Sequence, residues 1–504
     1  MSETTTERSS RRDDVLSRLD SNVPSRFLWS LTLLATLGGF LFGLDTSNIG
    51  SALQLLPYKT GDFAQGYLVA GASLGAAAGA LAAGPLTDRF GRKALLIIDA
   101  LIYAIGAILA AVTPDIGVLL FARTLVGIAI GADSAIATAY IAEYAPREKR
   151  GSLAMLQQWM ITVGILIAYL FALVVLKVAP GSATTIDWRL FFAIGAIPAL
   201  VGLALRFEMP ESPRWLLRKN KYEDAQKAFA KLGVEVSVDE IEATARNLEQ
   251  EDEKQAQEKK KAWTPGVRRA LIVVCVFFIF QQITGINVPL YYGPTLLGKY
   301  FQSGHSLVDS ATAGVAVTSI MTLFNVGATY LAFRWIDKIG RRKLAIGGFA
   351  GMAAMALLSA LGIGLLTGTP RIVVSMIGLC LFISSFAIGV GGTGWLIQGE
   401  TFPTVVRGQA AAFAATTDWI ANYALIEAFP ASQRTFGLGW VMVAFAVLCV
   451  LAILFVHRFL PETKGLSVEE ITDMYEQQAQ EHLSAREARR KEGESHRHRV
   501  AHGH

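Results

Sequence analysis

Polar residues along most of this chain are confined to short intervals. Between them run apolar stretches about as long as a bilayer-crossing helix, roughly 20 residues. Twelve can be marked, at about 27–56, 64–86, 94–112, 116–143, 152–177, 188–207, 268–298, 306–334, 342–366, 371–401, 407–431 and 437–458. The pattern predicts an all-α membrane protein with twelve transmembrane helices in two six-helix bundles. The one long polar interval, 208–267, predicts something different. Pro210 and Pro213 stop the preceding helix, and Lys219 to Lys261 is rich in Glu, Lys, Gln and Ala, with Ala225, Phe229 and Leu232 at helical spacing. It reads as a linker of short amphipathic helices that dock on the bundle. The chain thus divides into an N-terminal tail (1–26), a first bundle (27–207), the helical linker (208–267), a second bundle (268–458) and a C-terminal tail (459–504). From 478 onward that tail is charged and His-rich, the composition of a disordered segment.

Three charged signatures occur twice, about 250 residues apart. Asp88-Arg-Phe-Gly-Arg-Lys93 returns as Asp337-Lys-Ile-Gly-Arg-Arg-Lys343. Glu143-x-x-Pro146-x-x-x-Arg150-Gly151 returns as Glu400-x-x-Pro403-x-x-x-Arg407-Gly408. Pro210-Glu211-Ser212-Pro213-Arg214 returns as Pro461-Glu462-Thr463-Lys464-Gly465. One half-structure is written twice, which is how many secondary transporters are built, with the substrate site between the halves. Asp88 with Arg92, Glu143 with Arg150, Asp337 with Arg341 and Glu400 with Arg407 place opposite charges at helix ends. They are candidates for a cytoplasmic gate that latches the halves, besides capping helices and setting topology.

Composition agrees with the span count. Of 504 residues, 52% are hydrophobic and 17% charged, against about 25% charged in a soluble domain. The net charge of +5 is carried by alternate loops and both tails, so the positive-inside rule puts those loops and both termini in the cytoplasm. The N-terminus lacks a cleavable signal pattern. Cys275, Cys380 and Cys449 lie in apolar runs and read as small buried hydrophobes. The basic residues are scattered anchors with no single patch, which argues against nucleic acid. No nucleophile–base pair and no metal-ligand spacing appears, so neither an enzyme nor a cofactor is expected.

Charged residues inside the apolar spans are functional candidates by default. Asp45 lies late in the first span and Arg123 early in the fourth, so both fall in the outer half of the membrane and can pair. Arg cannot deprotonate; it would hold Asp45 ionised until a proton arrives and releases the pair. A permanent structural salt bridge is the alternative. Asp133 follows Arg123 by ten residues, about 15 Å along the helix and turned by some 80°. It either faces the central cavity or caps a neighbouring helix. Asp99, near the inner end of the third span, reads as structural, and Asp418 completes the set.

The seventh span contains Gln281-Gln282-Ile-Thr-Gly-Ile-Asn287-Val-Pro289-Leu-Tyr291-Tyr292. Amides both donate and accept, which suits an uncharged ligand with many hydroxyls. Pro289 interrupts the helix and frees backbone groups. Gln158, Asn325, Trp395 and Trp419 on other spans could join this group. Amides, aromatic planes and a carboxylate together suit a sugar; interhelical polar contacts are the alternative for any one of them.

These motifs, in this order, resemble the sugar porter family of the major facilitator superfamily. The resemblance runs from Gly39 to Gly465 and includes Gly-Phe-Leu-Phe-Gly-x-Asp45, Asp88-Arg-Phe-Gly-Arg-Lys, Arg123-x-x-x-Gly-x-x-x-Gly, Pro-Glu-Ser-Pro-Arg, Gln281-Gln282-x-x-Gly-Ile-Asn287, Gly340-Arg-Arg and Pro-Glu-Thr-Lys-Gly. It implies two six-helix bundles that rock to give alternating access. It implies sugar contacts at Gln158, Gln281, Gln282, Asn287, Asn325 and Trp395, with Phe42 and Trp419 lining the pocket and Tyr291 and Tyr292 forming an extracellular gate. Asp45 matches the position where proton-coupled members carry Asp. Three departures stand out: Gly391-Gly392-Thr393-Gly394 before Trp395 where the family has Gly-Pro, Asp418 where it has Asn or Gln, and Asp133, which is similar to a position in phosphate:proton symporters. The expectation is a proton-coupled monosaccharide or polyol symporter, monomeric, in the lipid of the cytoplasmic membrane. An organic-ion or phosphate carrier on the same fold, or a sugar sensor, is the alternative.

Overall fold

The computed structural model describes residues 33–484 apart from 35, 59–60, 145–149, 232, 260, 302–305, 467, 469 and 482–483. The N-terminal tail expected at 1–26 lies outside these residues. Among them the regular structure is helical throughout. Ten helices, some joined across a bend, are long and apolar enough to cross a membrane. Two more complete the twelve: span 1, described over Leu37–Ala52, and span 11, Thr404–Phe436, whose polar inner face lowers its hydropathy. Spans 2 to 5 are Asp62–Phe90, Arg92–Val112, Ile116–Tyr144 and Arg150–Val178. Span 6 is Trp188–Ala193 continued by Ala196–Glu208; span 8 is Leu307–Ile339, span 9 Arg341–Leu365 and span 12 Leu438–Phe459. A belt of exposed large apolar side chains, including Phe121, Val174, Ile197, Val447 and Leu454, surrounds the bundle, the surface a bilayer would cover.

Spans 7 and 10 are broken. The sequence points to Pro289 as the interruption in span 7, but the break falls earlier, between Pro265–Ile283 and Asn287–Phe301. Gly285 turns the chain there at φ +93°, with Phe445 packed where a β-carbon would stand. Pro289 sits in the first turn of the second segment, where its missing N–H costs no helical bond. Span 10 does not rely on its glycines as a loose joint. Gly368–Phe386 passes through a wide π turn at Ala387–Gly391 into Gly392–Thr401.

Small residues set the tightest contacts. Gly75 and Gly79 of span 2 face backbone oxygens of span 4, and Gly127 and Gly131 of span 4 face those of span 2, so a β-carbon at any of the four would strike backbone. Both helices belong to the first bundle, so this seam is static packing within one half. The halves meet mainly where span 2 lies along span 11, span 5 along span 8, and span 1 against the second segment of span 7.

The linker forms three helices, Pro213–Arg218, Tyr222–Lys231 and Val238–Lys259. Ser212 caps the first of them, accepting from the Trp215 N–H, with Pro213 at the first position. Trp215, Leu216, Phe229 and Ile241 join Leu95, Ile136 and Tyr140 in one buried cluster under the first bundle. The apolar stripe is therefore a docking face. The C-terminal tail corrects the expectation of disorder at 478–481, while 485–504 lie outside the described residues. Helix continues over 470–481, Tyr475 is fully buried, and Arg269 donates to Gln478 at 3.2 Å. The stripe of Ile471, Tyr475 and Ala479 gives it an apolar side to bury.

Candidate functional site

Two chemically distinct centres lie between the ends of the bundle. The first joins spans 1 and 4. Arg123 is fully buried and its Nη1 donates to Asp45 Oδ1; its Nε donates to the Leu68 carbonyl at 3.0 Å and its Nη2 to that of Val69 at 3.5 Å. Asp45 Oδ2 is buried and accepts nothing. A carboxylate whose one ionic partner is a guanidinium can be neutralised by a single proton, which removes the attraction holding the two helices.

The second centre joins the halves. Gln282 Nε2 donates to Asp418 Oδ1 at 2.7 Å, and Asn287 Nδ2 donates to Gln282 Oε1 at 2.8 Å and to Asn422 Oδ1 at 3.0 Å. Asn422 Nδ2 then donates to Ser73 Oγ of span 2 at 2.9 Å. This chain of bonds runs from the first bundle to a carboxylate of the second. Asn422 and Ser73 escape sequence reasoning, although Asn422 follows Asp418 by four residues and so shares its helix face. Phe42 meets Trp419 edge-on at 5.1 Å, bringing span 1 against span 11. Trp395 lies against Phe278 at 5.1 Å.

Gln281 is engaged differently. Its Nε2 donates to the carbonyls of Val390 and Gly391, at 3.3 and 3.0 Å, which the π turn of span 10 leaves open, while its Oε1 has no partner. Trp419 Nε1 is also buried without a partner. Each such atom costs about 1–3 kcal/mol unless something bonds to it, and the hydroxyls of a polyol could do so. Gln158 is half-buried on span 5 and Asn325 is buried on span 8. Tyr292 donates to the Ile426 carbonyl at 3.2 Å and its ring lies 4.8 Å from that of Phe429, closing span 7 onto span 11.

Asp133 does not join either centre. It bonds to Arg206 of span 6, whose Nη2 reaches Asp133 Oδ1 at 2.6 Å and whose Nη1 reaches Asp99 Oδ2 at 3.2 Å. All three side chains are buried. Asp99 is thus one arm of an ionic triad, and Arg206 is the member the sequence reading missed. Its one signal was an Arg inside Leu-Ala-Leu-Arg206-Phe, an apolar stretch.

Residues 31–475 match the family described as sugar (and other) transporter. The chain belongs to that family. The glucose transporter GlcP of Staphylococcus epidermidis is 34% identical over 445 residues, 87% of this chain and 95% of that one. The arabinose-proton symporter of Bacillus subtilis is 33% identical over 470 residues, 91% of this chain and 98% of that one. Among solved structures, the partially occluded inward open conformation of the xylose transporter XylE from E. coli superimposes with a TM-score of 0.74 at 30% identity, covering 88% of this chain and all of that one. The architecture is therefore that of a transporter and not of an enzyme.

In this transporter the duplicated charged motifs act as helix caps. Gly91 and Gly340, at φ +94° and +101°, turn the chain sharply into spans 3 and 9. Glu211 accepts from the Arg92 and Lys93 N–H groups at 2.9 and 3.2 Å. Glu462 repeats this at Arg341 and Arg342, at 2.8 and 3.2 Å. A carboxylate there satisfies the open N–H groups and meets the positive helix end. Arg92 lies 3.6 Å from the exposed Asp88. Arg341 bonds Glu400 twice, at 2.7 and 3.2 Å, and Thr463 joins at 2.8 Å, so Glu400 ties the first motif to the third. Arg407 Nε turns back to the Phe402 carbonyl at 3.0 Å. The side chains of Glu143, Arg150 and Asp337 lie outside the described residues. The bonds just described stay within one half. Among the described residues, bonds that cross the halves include Asn422–Ser73, Tyr169 donating to the Leu290 carbonyl, and Arg434 donating to Asp62 at 2.9 Å, in the centre and at the end away from the linker.

Proposed function

We propose that this protein is a secondary active transporter that carries a monosaccharide or polyol across a membrane together with protons by alternating access. The observation that carries this is the juxtaposition of a buried, proton-dischargeable Asp45–Arg123 pair between spans 1 and 4 with a polar chain, Ser73 to Asp418, that bridges the halves. Phe42, three residues before Asp45, touches Trp419 beside Asp418, so a change at the ion pair is transmitted through span 1 to the substrate centre. Gln282, Asn287, Asn325, Asp418, Trp419, Trp395 and Gln158 bind the substrate. Gln281 exchanges its bonds to span 10 for a substrate hydroxyl, and Tyr291 and Tyr292 close the outer side. The relatives named for glucose and for arabinose with a proton support this reading.

The basic end with the linker faces the cytoplasm of the plasma membrane, both termini lie there, and the protein works as a monomer with halves at 27–207 and 268–458. Asp88, Arg92, Glu143, Arg150, Asp337, Arg341, Glu400 and Arg407 form the cytoplasmic gate. A second reading of the substrate follows from Asp418: a buried carboxylate bonded to an amide suits an aminated sugar. Asp133 gives no support to a phosphate carrier, since Arg206 takes it up. The test is uptake in vesicles with and without a pH gradient, with hexoses, pentoses, inositols, amino sugars and phosphate as competitors. Competition by one of the sugars or polyols and stimulation by an inward proton gradient are expected. Failure of every sugar and polyol to compete overturns the reading.

A further inference from the structure

We propose that Asp99, Asp133 and Arg206 form a second proton-binding centre, which holds one proton in the conformation described and exchanges it during transport. The coupling half of this rests on the proton-coupled reading above; the proton-holding half does not.

Charge and burial carry it. One guanidinium serves two carboxyls, and its remaining bond, 2.6 Å long, goes to the neutral Leu96 carbonyl. The side chains of Arg206, Asp99 and Asp133 are 0%, 4% and 2% exposed. Span 3 brings Asp99, with Tyr103 beyond it donating to the Leu41 carbonyl; span 4 brings Asp133, with Tyr140 donating to the Pro210 carbonyl; span 6 brings Arg206; span 1 brings Gly38. Among the described residues of these elements no second cation reaches the two carboxyls. Full ionisation would leave one uncompensated negative charge in a dry interior, at a cost of several kcal/mol, which a group avoids by taking a proton. Asp99 Oδ1 and Asp133 Oδ2 are buried and accept no bond, so oxygen sites for that proton are present. When it binds, one O–H bond forms and one negative charge is cancelled; when it leaves, it passes to water at the linker end.

Geometry links this centre to the first. Asp133 Oδ2 occupies the space that a side chain at Gly38 would need. Gly38 is on span 1, seven residues before Asp45, about 10 Å along the helix. Asp133 is on span 4, as is Arg123. The same two helices wall both centres, so a shift of span 1 when Asp45 leaves Arg123 also moves the wall over Asp133.

The experiment has two arms. Infrared difference spectroscopy on the purified protein in lipid, without substrate, should find a protonated-carboxyl carbonyl band at neutral pH in a background carrying both Asp45→Asn and Asp418→Asn, since Asp418 is buried against an amide alone and would carry a band of its own. Asp99→Asn and Asp133→Asn should each remove it, because either leaves a one-to-one pair. Carboxyl-labelled aspartate should shift the band in that same background, a readout that survives if a triad variant fails to fold. The second arm measures the proton-to-substrate ratio in vesicles, where each variant should lose one proton, lowering accumulation about tenfold per unit of pH gradient. A doubly substituted background without an aspartic-acid band, or triad variants that keep it, overturns the proposal. A band that disappears while the ratio is unchanged overturns its coupling half. A protein that holds the band and moves no sugar sinks the transport reading instead.

Discussion

Replacing Asp45 by Asn tests the coupling chemistry most directly. Asparagine keeps an acceptor oxygen within reach of Arg123 Nη1, and the bonds from Arg123 to the Leu68 and Val69 carbonyls need no change. What it removes is the site for a proton and the negative charge opposite a fully buried cation. Breaking a buried pair from one side costs about 3–5 kcal/mol when nothing replaces the partner; the retained amide makes the loss smaller, so the variant should fold. The functional magnitude follows from proton thermodynamics. One proton moving down a one-unit pH gradient supplies about 1.4 kcal/mol, a tenfold accumulation. In vesicles with the membrane potential clamped at zero, Asp45→Asn should therefore accumulate substrate about tenfold less than the parent. Exchange of labelled for unlabelled substrate across the same vesicles, which needs no net proton movement, should persist. Undiminished uphill accumulation would refute Asp45 as a coupling group, and loss of exchange along with accumulation would make it a structural residue.

Four other outcomes follow from the structure. Gln282→Ala removes the donor to Asp418 and the acceptor of Asn287; substrate KM should rise on the order of tenfold, with expression and thermal unfolding little changed. Asp418→Asn should abolish any preference for an aminated over a neutral sugar while keeping neutral-sugar uptake, as a competition assay would report. Arg434→Ala breaks an exposed bond to Asp62 between the halves; at about 0.2–1 kcal/mol it should move the conformational balance outward by less than about fivefold, read by labelling of a cysteine placed in the outer cavity. Glu462→Ala leaves the first N–H groups of span 9 without a cap and should cost about 1–2 kcal/mol, seen as a lower unfolding temperature in detergent.

Much of this molecule was legible along the chain. A run of apolar residues long enough to cross a bilayer is a local property, and the solvent it implies leaves a helix as the one way to satisfy its backbone, so the spans, their duplication and the amphipathic linker could be read directly. The shared depth of Asp45 and Arg123 could be worked out from helical rise alone, because the first span ends and the fourth begins at the same membrane surface. Other features depended on how helices turn and lean against one another. Arg206 meets Asp133 and Asp99 across 73 and 107 residues of sequence. Nothing local to any of the three reports which way its helix faces.

The charged repeats divide along the same line. Their duplication was evident in the sequence, whereas the assembled chain made Glu211 and Glu462 the caps of the helices that the Gly91 and Gly340 turns begin. The broken seventh span is similar: proline and glycine both stood in it, and packing of Phe445 against Gly285 decided which one carries the bend. The sequence by itself determined which solvent surrounds the protein, how many times the chain crosses it and which chemical groups are carried inside. Beyond the Asp45–Arg123 pair, tertiary structure decided which of those groups meet, because in a dry interior each buried charge or amide is settled by whichever partner packing brings within hydrogen-bond reach.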